Sequence, residues 1–230
     1  MGSTATAYGS YVIRHFEQMG VYSLLKADSL LKARDKFTSL QLLAKNGIPI
    51  PDTATTNFTD DLEGFVNMFG SHPLIIKLLN STHGEGVIKS DNMKVSTTLL
   101  EAFLKLKHKI LIQEFIKESS GTDIRAFVVG DKVVAAMERV AQQGEFRSNL
   151  HRGAVSNIIK LTNEEISMAK KSTRILGLNV AGVDILRSNK GPLVIEVNAS
   201  PGLEGIETTT NINIAKSIIS FVERNAKYRL

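Results

Sequence analysis

The sequence predicts an α+β fold, and three observations support that class. Apolar residues recur at helical intervals in several segments of ten residues or more. Shorter runs rich in Val and Ile are separated by glycine-containing turns, as in antiparallel hairpins. The chain has 230 residues and is 43% hydrophobic, which suits one large or two small domains with real cores.

Two helices are predicted near the start of the chain. Tyr11–Met19 has helical spacing and ends at Gly20, a natural C-cap. Asp28 is placed to cap a second helix, in which apolar residues recur over 29–45. Lys36 would then lie in the middle of that helix.

A small α+β unit is predicted over residues 29–112. Its expected parts are a helix opened by Asp60 and Asp61, a hairpin of Leu74–Leu79 with Val87–Lys89, and a helix over 97–107. The run Ile110–Ile116 is predicted as a strand that crosses out of this unit.

A second unit is predicted over residues 113–230. It begins with a hairpin of 123–129 and 133–140, followed by a polar loop over 141–154. Thr162 and Glu165 have the spacing of a capping box before a helix to Leu176. After a central hairpin, a last helix is expected over 212–225.

The central hairpin carries oxygen-bearing side chains at Asp184, Glu196 and Asn198. Leu193, Ile195 and Val197 alternate with the last two of these, which places both on the opposite strand face. A bulged antiparallel hairpin would set Asp184 beside Glu196. Two carboxylates and an amide suit Mg²⁺, which takes oxygen ligands and keeps positions for phosphate oxygens. A half-solvated hairpin with polar residues facing water is the alternative.

Two lysines, Lys36 and Lys77, are candidates for binding an anion such as phosphate. Lys77 lies between Ile76 and Leu78 in an apolar run, where an unpaired ammonium would be costly to desolvate. A strand that turns Lys77 to solvent would need no anion. The loop 80–86, with two glycines, could fold over phosphates.

Further polar and backbone groups could complete a nucleotide pocket. Glu114, Phe115 and Ile116 could offer backbone groups to adenine, and Asp123 could accept ribose hydroxyls. Asp123 and Arg125 could equally form a surface ion pair. His151, in the polar loop, is assigned no metal role because no second His or Cys is suitably spaced.

Composition restricts the partners and the compartment. The net charge is +5 and the pI is near 9.3, which favours anionic partners. Nucleic acid is not demanded, because no block of like charges appears. Zero cysteines fit a reducing compartment such as the cytoplasm, and no apolar run approaches a membrane span.

Seven short motifs in fixed order, together with the longer segments around them, resemble those of ATP-grasp ligases and, within them, of RimK-type α-L-glutamate ligases. The motifs are Arg34-Asp35-Lys36, Ile76-Lys77-Leu78, Gly84-Glu85-Gly86, Gln113-Glu114-Phe115, Asp123-Ile124-Arg125, Gly182-Val183-Asp184 and Glu196-Val197-Asn198. The resemblance runs from about Tyr8 to Lys227. It implies a nucleotide held between two α+β lobes, namely 29–112 and 113–230.

The resemblance also implies roles for individual residues. Lys36 and Lys77 would hold ATP phosphates, and Arg147 would contact the reacting phosphate. Glu114, Phe115, Ile116 and Asp123 would line the adenine and ribose pocket. Asp184, Glu196 and Asn198 would hold two Mg²⁺ or Mn²⁺ ions. Lys77, Arg125 and Arg147 would be the catalytic cations. Arg125, Arg139 and Arg152 are also candidates to bind substrate carboxylates, and the alternative is that they are surface residues that only aid solubility.

The implied reaction adds L-glutamate to the C-terminal carboxylate of a protein or peptide through an acyl phosphate. A small-subunit ribosomal protein is the implied acceptor, and a homo-oligomer is compatible with the family. Two alternatives stay open: an ATP-grasp ligase for a small metabolite, and a non-catalytic ATP-binding module. RimK-type enzymes have a longer N-terminal lobe, so residues 1–28 are expected to be the remnant of that lobe.

Overall fold

The computed structural model describes residues 3–79, 86–148, 150 and 153–226, which form helices around two antiparallel sheets. The strands are β1 (Thr53–Ala54), β2 (Leu74–Leu78), β3 (Val87–Ser90), β4 (Ile110–Glu114), β5 (Thr122–Val129), β6 (Lys132–Val140), β7 (Val155–Ile158), β8 (Val180–Ser188) and β9 (Gly191–Asn198). The helices are α1 (Ser3–Gln18), α2 (Ala27–Arg34), α3 (Lys36–Lys45), α4 (Leu62–Asn67), α5 (Met93–Lys105), α6 (Asn163–Ile175), α7 (Glu204–Thr210) and α8 (Ile214–Asn225), with a 3₁₀ turn at Lys117–Ser119.

The smaller sheet has four strands in the order β1-β4-β2-β3. Helices α4 and α5 supply apolar residues to its core, because each presents one apolar stripe. Residues alternate between faces along β4, so Ile110 and Ile112 lie in this core while Leu111 faces the other way. That other face also carries the side chains described below as a candidate active site.

The larger sheet has five strands in the order β7-β6-β5-β8-β9 and is covered on both faces. Along β5, Ala126 and Val128 pack with residues of α2, α3 and α6. Phe127 points to the opposite face, where it packs with Ile206 of α7 and Ile214 of α8. Burial on both faces fixes the register of the strands that carry the polar side chains.

The prediction of one continuous helix over 29–45 is wrong. Asp35 is extended, with φ −82° and ψ 99°, and divides the segment into α2 and α3. Its side chain accepts hydrogen bonds from the amides of Phe37 and Thr38, as an N-cap does. Lys36 is therefore the first residue of α3 and does not lie mid-helix.

The predicted small unit over 29–112 also needs correction in its packing. Leu40 and Leu43 of α3 lie in the core of the five-stranded sheet, not in that of the four-stranded sheet. Strand β4 does not cross out, because it pairs with β2 over its whole length and with β1 at Ile112 and Gln113. The limits of the three domains, 1–28, 29–112 and 113–230, stay predictions.

Most other predicted elements are confirmed by the structure. The hairpins β2–β3, β5–β6 and β8–β9 all form, and the capping box of Thr162 and Glu165 is complete. Strands β1 and β7 and helix α7 were not predicted. Among the described residues, none of the helices combines the length and apolar character needed to cross a bilayer.

Glu165 at the start of α6 offers a test of this packing. Its side chain is 2% exposed, accepts two hydrogen bonds from Arg187, and closes the capping box. We expect Glu165→Ala to lower the free energy of unfolding by about 2 kcal/mol, since a cap and charged hydrogen bonds are lost together. Urea unfolding measures this change, with Glu164→Ala at the exposed neighbouring position as the control.

The same pair predicts a pH dependence. Burial raises the pKa of Glu165, but the Arg187 guanidinium and the hydrogen bonds with Thr162 together lower it by more, so the net shift is downward. The ion pair therefore stabilises the fold above the pKa of an unfolded carboxyl, about 4.3, and this contribution is lost as the pH falls through the folded pKa. An equal difference between wild type and Glu165→Ala at all pH values would contradict it.

Candidate active site

The predicted pairing of Asp184 with Glu196 is confirmed. The two residues are register partners across β8 and β9, and the register shifts immediately afterwards so that Ile185 faces Val194. This irregularity is the bulge expected from the sequence. Asn198 lies two residues along the same strand face, and its amide nitrogen is 3.4 Å from Asp184 Oδ2. The three oxygen-bearing side chains therefore converge.

Two arginines from neighbouring strands bind Asp184. Arg125, its register partner on β5, donates two hydrogen bonds of 2.8 and 2.6 Å to the carboxylate. Arg139 on β6 lies 3.2 Å from Asp184 Oδ2. Burial raises the pKa of Asp184, but the two guanidiniums lower it by more, to about 2. The carboxylate is therefore ionised at neutral pH although only 4% of the residue is exposed.

Arg139 also binds Asp123, which was predicted to contact ribose. The two residues are partners across β5 and β6, and Arg139 donates hydrogen bonds of 2.7 and 2.6 Å to the two carboxylate oxygens. A carboxylate has about four acceptor positions, so Asp123 can still accept from a ligand. Arg139 is 4% exposed, so the alternative of a surface residue is wrong for it, and its binding of a substrate carboxylate stays a prediction.

The two candidate lysines reach the same region from different elements. Lys36 Nζ donates a 2.6 Å hydrogen bond to Glu196 Oε1. Burial raises the pKa of Glu196, but the ammonium groups of Lys36 and Lys77 lower it, and the net shift is downward. Lys77 on β2 is partly buried and donates to Gln113 Oε1 at 2.6 Å. The alternative of a solvent-facing Lys77 is therefore wrong. Burial lowers the pKa of Lys77 to about 8.

The predicted adenine segment lies where β4 ends. The amide of Glu114 donates to the Asp52 carbonyl at 2.9 Å, and its side chain accepts from the Asp52 amide at 3.0 Å. These groups tie β4 to the chain before β1. Ile116 is buried, and the ring of Phe115 meets that of Phe146 edge to face at 6.5 Å.

Arg147 lies in the loop after β6, close to this aromatic pair. It donates hydrogen bonds of 2.9 and 2.7 Å to the Glu145 carboxylate, and its guanidinium lies 5.4 Å from the Phe146 ring centroid. Its contact with a reacting phosphate stays a prediction. The loop residues 80–85, His151 and Arg152 lie outside the described residues.

The donor chemistry of the site fits a hard divalent cation. Within the described ranges, no three His, Cys, Asp or Glu residues gather as a complete metal cluster. The available set is two carboxylates and the Asn198 amide oxygen. Mg²⁺ commonly uses one or two carboxylates and completes its shell with water and substrate phosphates, so a small set is adequate. Asp184, Glu196 and Asn198 would hold such an ion.

Two contributors to this region were not recognised as such from the sequence. Gln113 was noted only as part of a motif, and Arg139 only as a candidate for binding substrate. One signal was available for Gln113, which follows three apolar residues of a buried strand and is itself 2% exposed. A buried amide usually has hydrogen-bond partners, which could have prompted a search for them.

Comparison with known proteins identifies the family. The model of the RimK-like ATP-grasp domain matches residues 33–222. The chain belongs to this family. The matched range includes Lys36, Lys77 and all three candidate metal ligands. The family predicted from the ordered motifs, the ATP-grasp fold and the ligase class of enzyme are thus confirmed.

A curated relative agrees with this membership, and a solved structure agrees with the fold. A protein of Hahella chejuensis named "Probable alpha-L-glutamate ligase 1" is 54% identical over 227 residues, covering 99% of this chain and 75% of that protein. The solved structure of the ATP-grasp ligase PsnB, complexed with a phosphomimetic variant of its minimal precursor, Mg and ADP, matches with a TM-score of 0.75. It is 22% identical, with 96% of this chain and 68% of PsnB covered.

A second solved structure is also similar in fold. The D-alanine–D-alanine ligase of Bacillus anthracis complexed with ATP has a TM-score of 0.72 and 19% identity. The alignment covers 95% of this RimK-like chain and 76% of that ligase. At this identity the match supports the ATP-grasp fold and nothing finer.

Arg139 offers a test of the buried charges in this RimK-like protein. We expect Arg139→Met to lower the free energy of unfolding by about 3 kcal/mol at neutral pH, since it leaves Asp123 buried without its cation. Urea unfolding measures the loss. Arg174→Met, at an exposed position of α6, is the control and should cost less than about 0.5 kcal/mol.

The loss should shrink as the pH falls. Burial already raises the pKa of Asp123, and Arg139 opposes that rise. Without Arg139 the folded pKa rises further above the unfolded value, so the penalty is present at high pH and is relieved on protonation. A loss that stays constant down to about pH 4 would show that Arg139 stabilises by packing alone.

Proposed function

We propose that this protein is an ATP-dependent ligase that adds L-glutamate to the C-terminal carboxylate of a protein or peptide. The proposal combines the geometry of the site with the names of the relatives, which read "Probable alpha-L-glutamate ligase". Precursor peptides bound to the structural neighbours PsnB and MdnC favour a peptide acceptor. A small-subunit ribosomal protein is the acceptor that the RimK-type resemblance implies, and the cytoplasm is the compartment we propose.

One observation carries the proposal. Asp184 and Glu196 are paired across a bulged hairpin, and the lysines Lys36 and Lys77 reach their vicinity from α3 and β2. Two acids and two ammonium groups at one place suit a metal-bound polyphosphate, in which cations must meet phosphate oxygens and acids must meet the metal. A surface hairpin would have no need of this arrangement.

The residues divide into three groups by role. Lys36 and Lys77 bind ATP phosphates, and Glu114, Phe115, Ile116 and Asp123 line the adenine and ribose pocket. Asp184, Glu196 and Asn198 hold two Mg²⁺ or Mn²⁺ ions. When bound, the ions supply charge neutralisation at the phosphates, which is a large contribution in phosphoryl transfer.

The reaction follows in two steps. An oxygen of the acceptor carboxylate attacks the γ-phosphorus of ATP, the bond to the β-phosphate oxygen breaks, and ADP leaves. The amine of glutamate then attacks the carbonyl of the acyl phosphate, loses a proton, and expels inorganic phosphate as the amide forms. Lys36, Lys77 and Arg147 stabilise the charge on the transferring group, and no side-chain nucleophile is needed.

Arg125 is proposed to have two alternative partners, namely Asp184 and a substrate group. In the structure it neutralises Asp184 through two hydrogen bonds. A metal ion at Asp184 would satisfy the same oxygens, and Arg125 could then turn to a substrate carboxylate or phosphate, to which a guanidinium binds in the same forked geometry.

Glu196→Gln tests the metal and phosphate assignment. The substitution keeps the shape of the side chain and removes the charge that Lys36 and the ion share. We expect ATP turnover to fall at least about a hundredfold, because phosphoryl transfer depends on its metal ions. Mn²⁺ binding, followed by electron paramagnetic resonance, should weaken in parallel.

Glu223→Gln, at an exposed position of α8, is the matched control and should leave both measurements unchanged. Wild-type turnover and Mn²⁺ binding in Glu196→Gln would end the metal assignment. Thermal unfolding of both variants shows whether any loss reflects the fold.

The substrates are tested by mass spectrometry. The protein is incubated with ATP, Mg²⁺, glutamate and candidate acceptor peptides, and we expect mass increments of one glutamyl unit with equal release of ADP. Blocking the acceptor as a C-terminal amide should abolish the increments, because no carboxylate is left to phosphorylate. ATP and ADP binding without any product from any acceptor would favour a binding module instead.

A further inference from the structure

Lys77 differs from the other cations of the site in its hydrogen-bond partner, which is the side-chain amide of Gln113. Lys77 on β2 and Gln113 on β4 lie on one face of the four-stranded sheet, since Gln113 is the register partner of Ile75, two residues from Lys77. Lys77 Nζ lies 2.6 Å from Gln113 Oε1. Diagonal neighbours on one sheet face are within reach of long side chains, so the strand pairing itself sets this contact.

The amide of Gln113 is itself held at its other end. Gln113 Nε2 donates to Thr53 Oγ1 at 2.9 Å, and the Thr53 hydroxyl donates to the Pro51 carbonyl at 2.7 Å. A carbonyl can only accept, and an ammonium can only donate. Every hydrogen bond in the row therefore has one allowed direction, and the oxygen of Gln113 must face Lys77.

The neutrality of this partner is the feature that needs explanation. Asp184 is paired with Arg125 and Arg139, Glu196 with Lys36, and Glu145 with Arg147. Within the part of the chain that the structure describes, Lys77 instead has an amide as its hydrogen-bond partner and no ion pair. An amide fixes the position of an ammonium without neutralising it, so the charge stays available to an anion.

We propose that Gln113 is a positioning residue that holds Lys77 toward the nucleotide phosphates while leaving its charge unneutralised. This inference rests on the proposed function, because it takes the phosphate of a nucleotide as the anion. It assigns to Gln113 a role that is exerted through Lys77. It also gives a reason for the two-residue strand β1, whose Thr53 fixes the Gln113 amide.

The charges around Lys77 agree with this role. Burial lowers its pKa to about 8, and the nearby charges are Glu196 on β9, Lys36 on α3 and Asp184 on β8. The two acids raise the pKa and Lys36 lowers it. A bound polyphosphate would favour the ammonium further, so the amine is charged in the complex.

Two substitutions of Gln113 separate position from charge. Gln113→Met removes the acceptor with little change in volume, and Thr53 can still donate to Pro51. Gln113→Glu keeps the shape but places a carboxylate against Lys77 and neutralises it. We expect both to weaken the binding of ADP with Mg²⁺ roughly tenfold in calorimetry, because Gln113→Met loses a charged hydrogen bond and Gln113→Glu neutralises the ammonium.

A double-mutant cycle shows whether Gln113 acts through Lys77. In a Lys77→Met background, Gln113→Met should have no further effect on ADP affinity, since the group that it positions is gone. A merely structural role of Gln113 would weaken binding to the same extent in both backgrounds. Gln41→Met, an exposed glutamine on α3, is the control and should match wild type.

The pH profile of ADP affinity gives an independent readout. Affinity should fall as the pH rises through the pKa of Lys77 and the ammonium is lost. Gln113→Glu should move this fall to higher pH, because a carboxylate favours the ammonium, and Gln113→Met should move it lower. Shifts in one direction for both variants would contradict the proposal.

The possible results separate the positioning role of Gln113 from the proposed function on which it rests. ADP affinity that depends on Lys77 but not on Gln113 would overturn the positioning role alone. Absence of ADP binding to the wild-type chain, or equal binding by Lys77→Met, would overturn the nucleotide assignment and this inference with it. Thermal unfolding of each variant identifies any loss of fold, and Gln113→Met then provides the test if Gln113→Glu does not fold.

Discussion

The Asp184 carboxylate, held between Arg125 and Arg139 in the middle of the five-stranded sheet, is the interaction on which the candidate site depends. An isolated carboxylate at this depth would be neutral, and a neutral acid is a poor ligand for a hard cation. The two arginines keep it ionised. They come from the next two strands, so the order β6-β5-β8 places these charges side by side.

The same row of charges links the metal and nucleotide assignments. Arg139 contacts both Asp123 and Asp184, so the residue proposed for ribose and the residue proposed for the metal share one cation. Buried ion pairs often contribute little to stability compared with apolar residues of similar size. Their retention here is better explained by the need to hold acids at fixed positions. The cost is offset by cores on both faces of the sheet.

Local patterns in the sequence predicted the hairpins and the pairing of Asp184 with Glu196, because strand alternation and turn residues determine both. The break at Asp35 was missed because apolar spacing continues across it, although Asp before Lys36-Phe37-Thr38 is an N-cap signal. The partners of Arg139 and Gln113 lie at sequence separations of 16 to 60 residues. The contact of Arg139 with Asp123 lies within the predicted β5–β6 hairpin and depends on its register. The contacts of Gln113 follow from strand order, which no local pattern contains. Residue patterns indicated the metal, phosphate and nucleotide candidates, and the family resemblance assigned their individual roles.

A row of hydrogen bonds runs from Lys77 through Gln113 and Thr53 to Pro51. It reaches the outer edge of the four-stranded sheet, where Thr53 belongs to the shortest strand, β1. Edge segments are usually tolerant of sequence change, because few neighbours constrain them. In this ligase Thr53, although it lies on an edge strand, would instead be constrained by nucleotide binding. A substitution at this edge position would then change the affinity for ATP, although Asp184 and Glu196 of the five-stranded sheet stay in place.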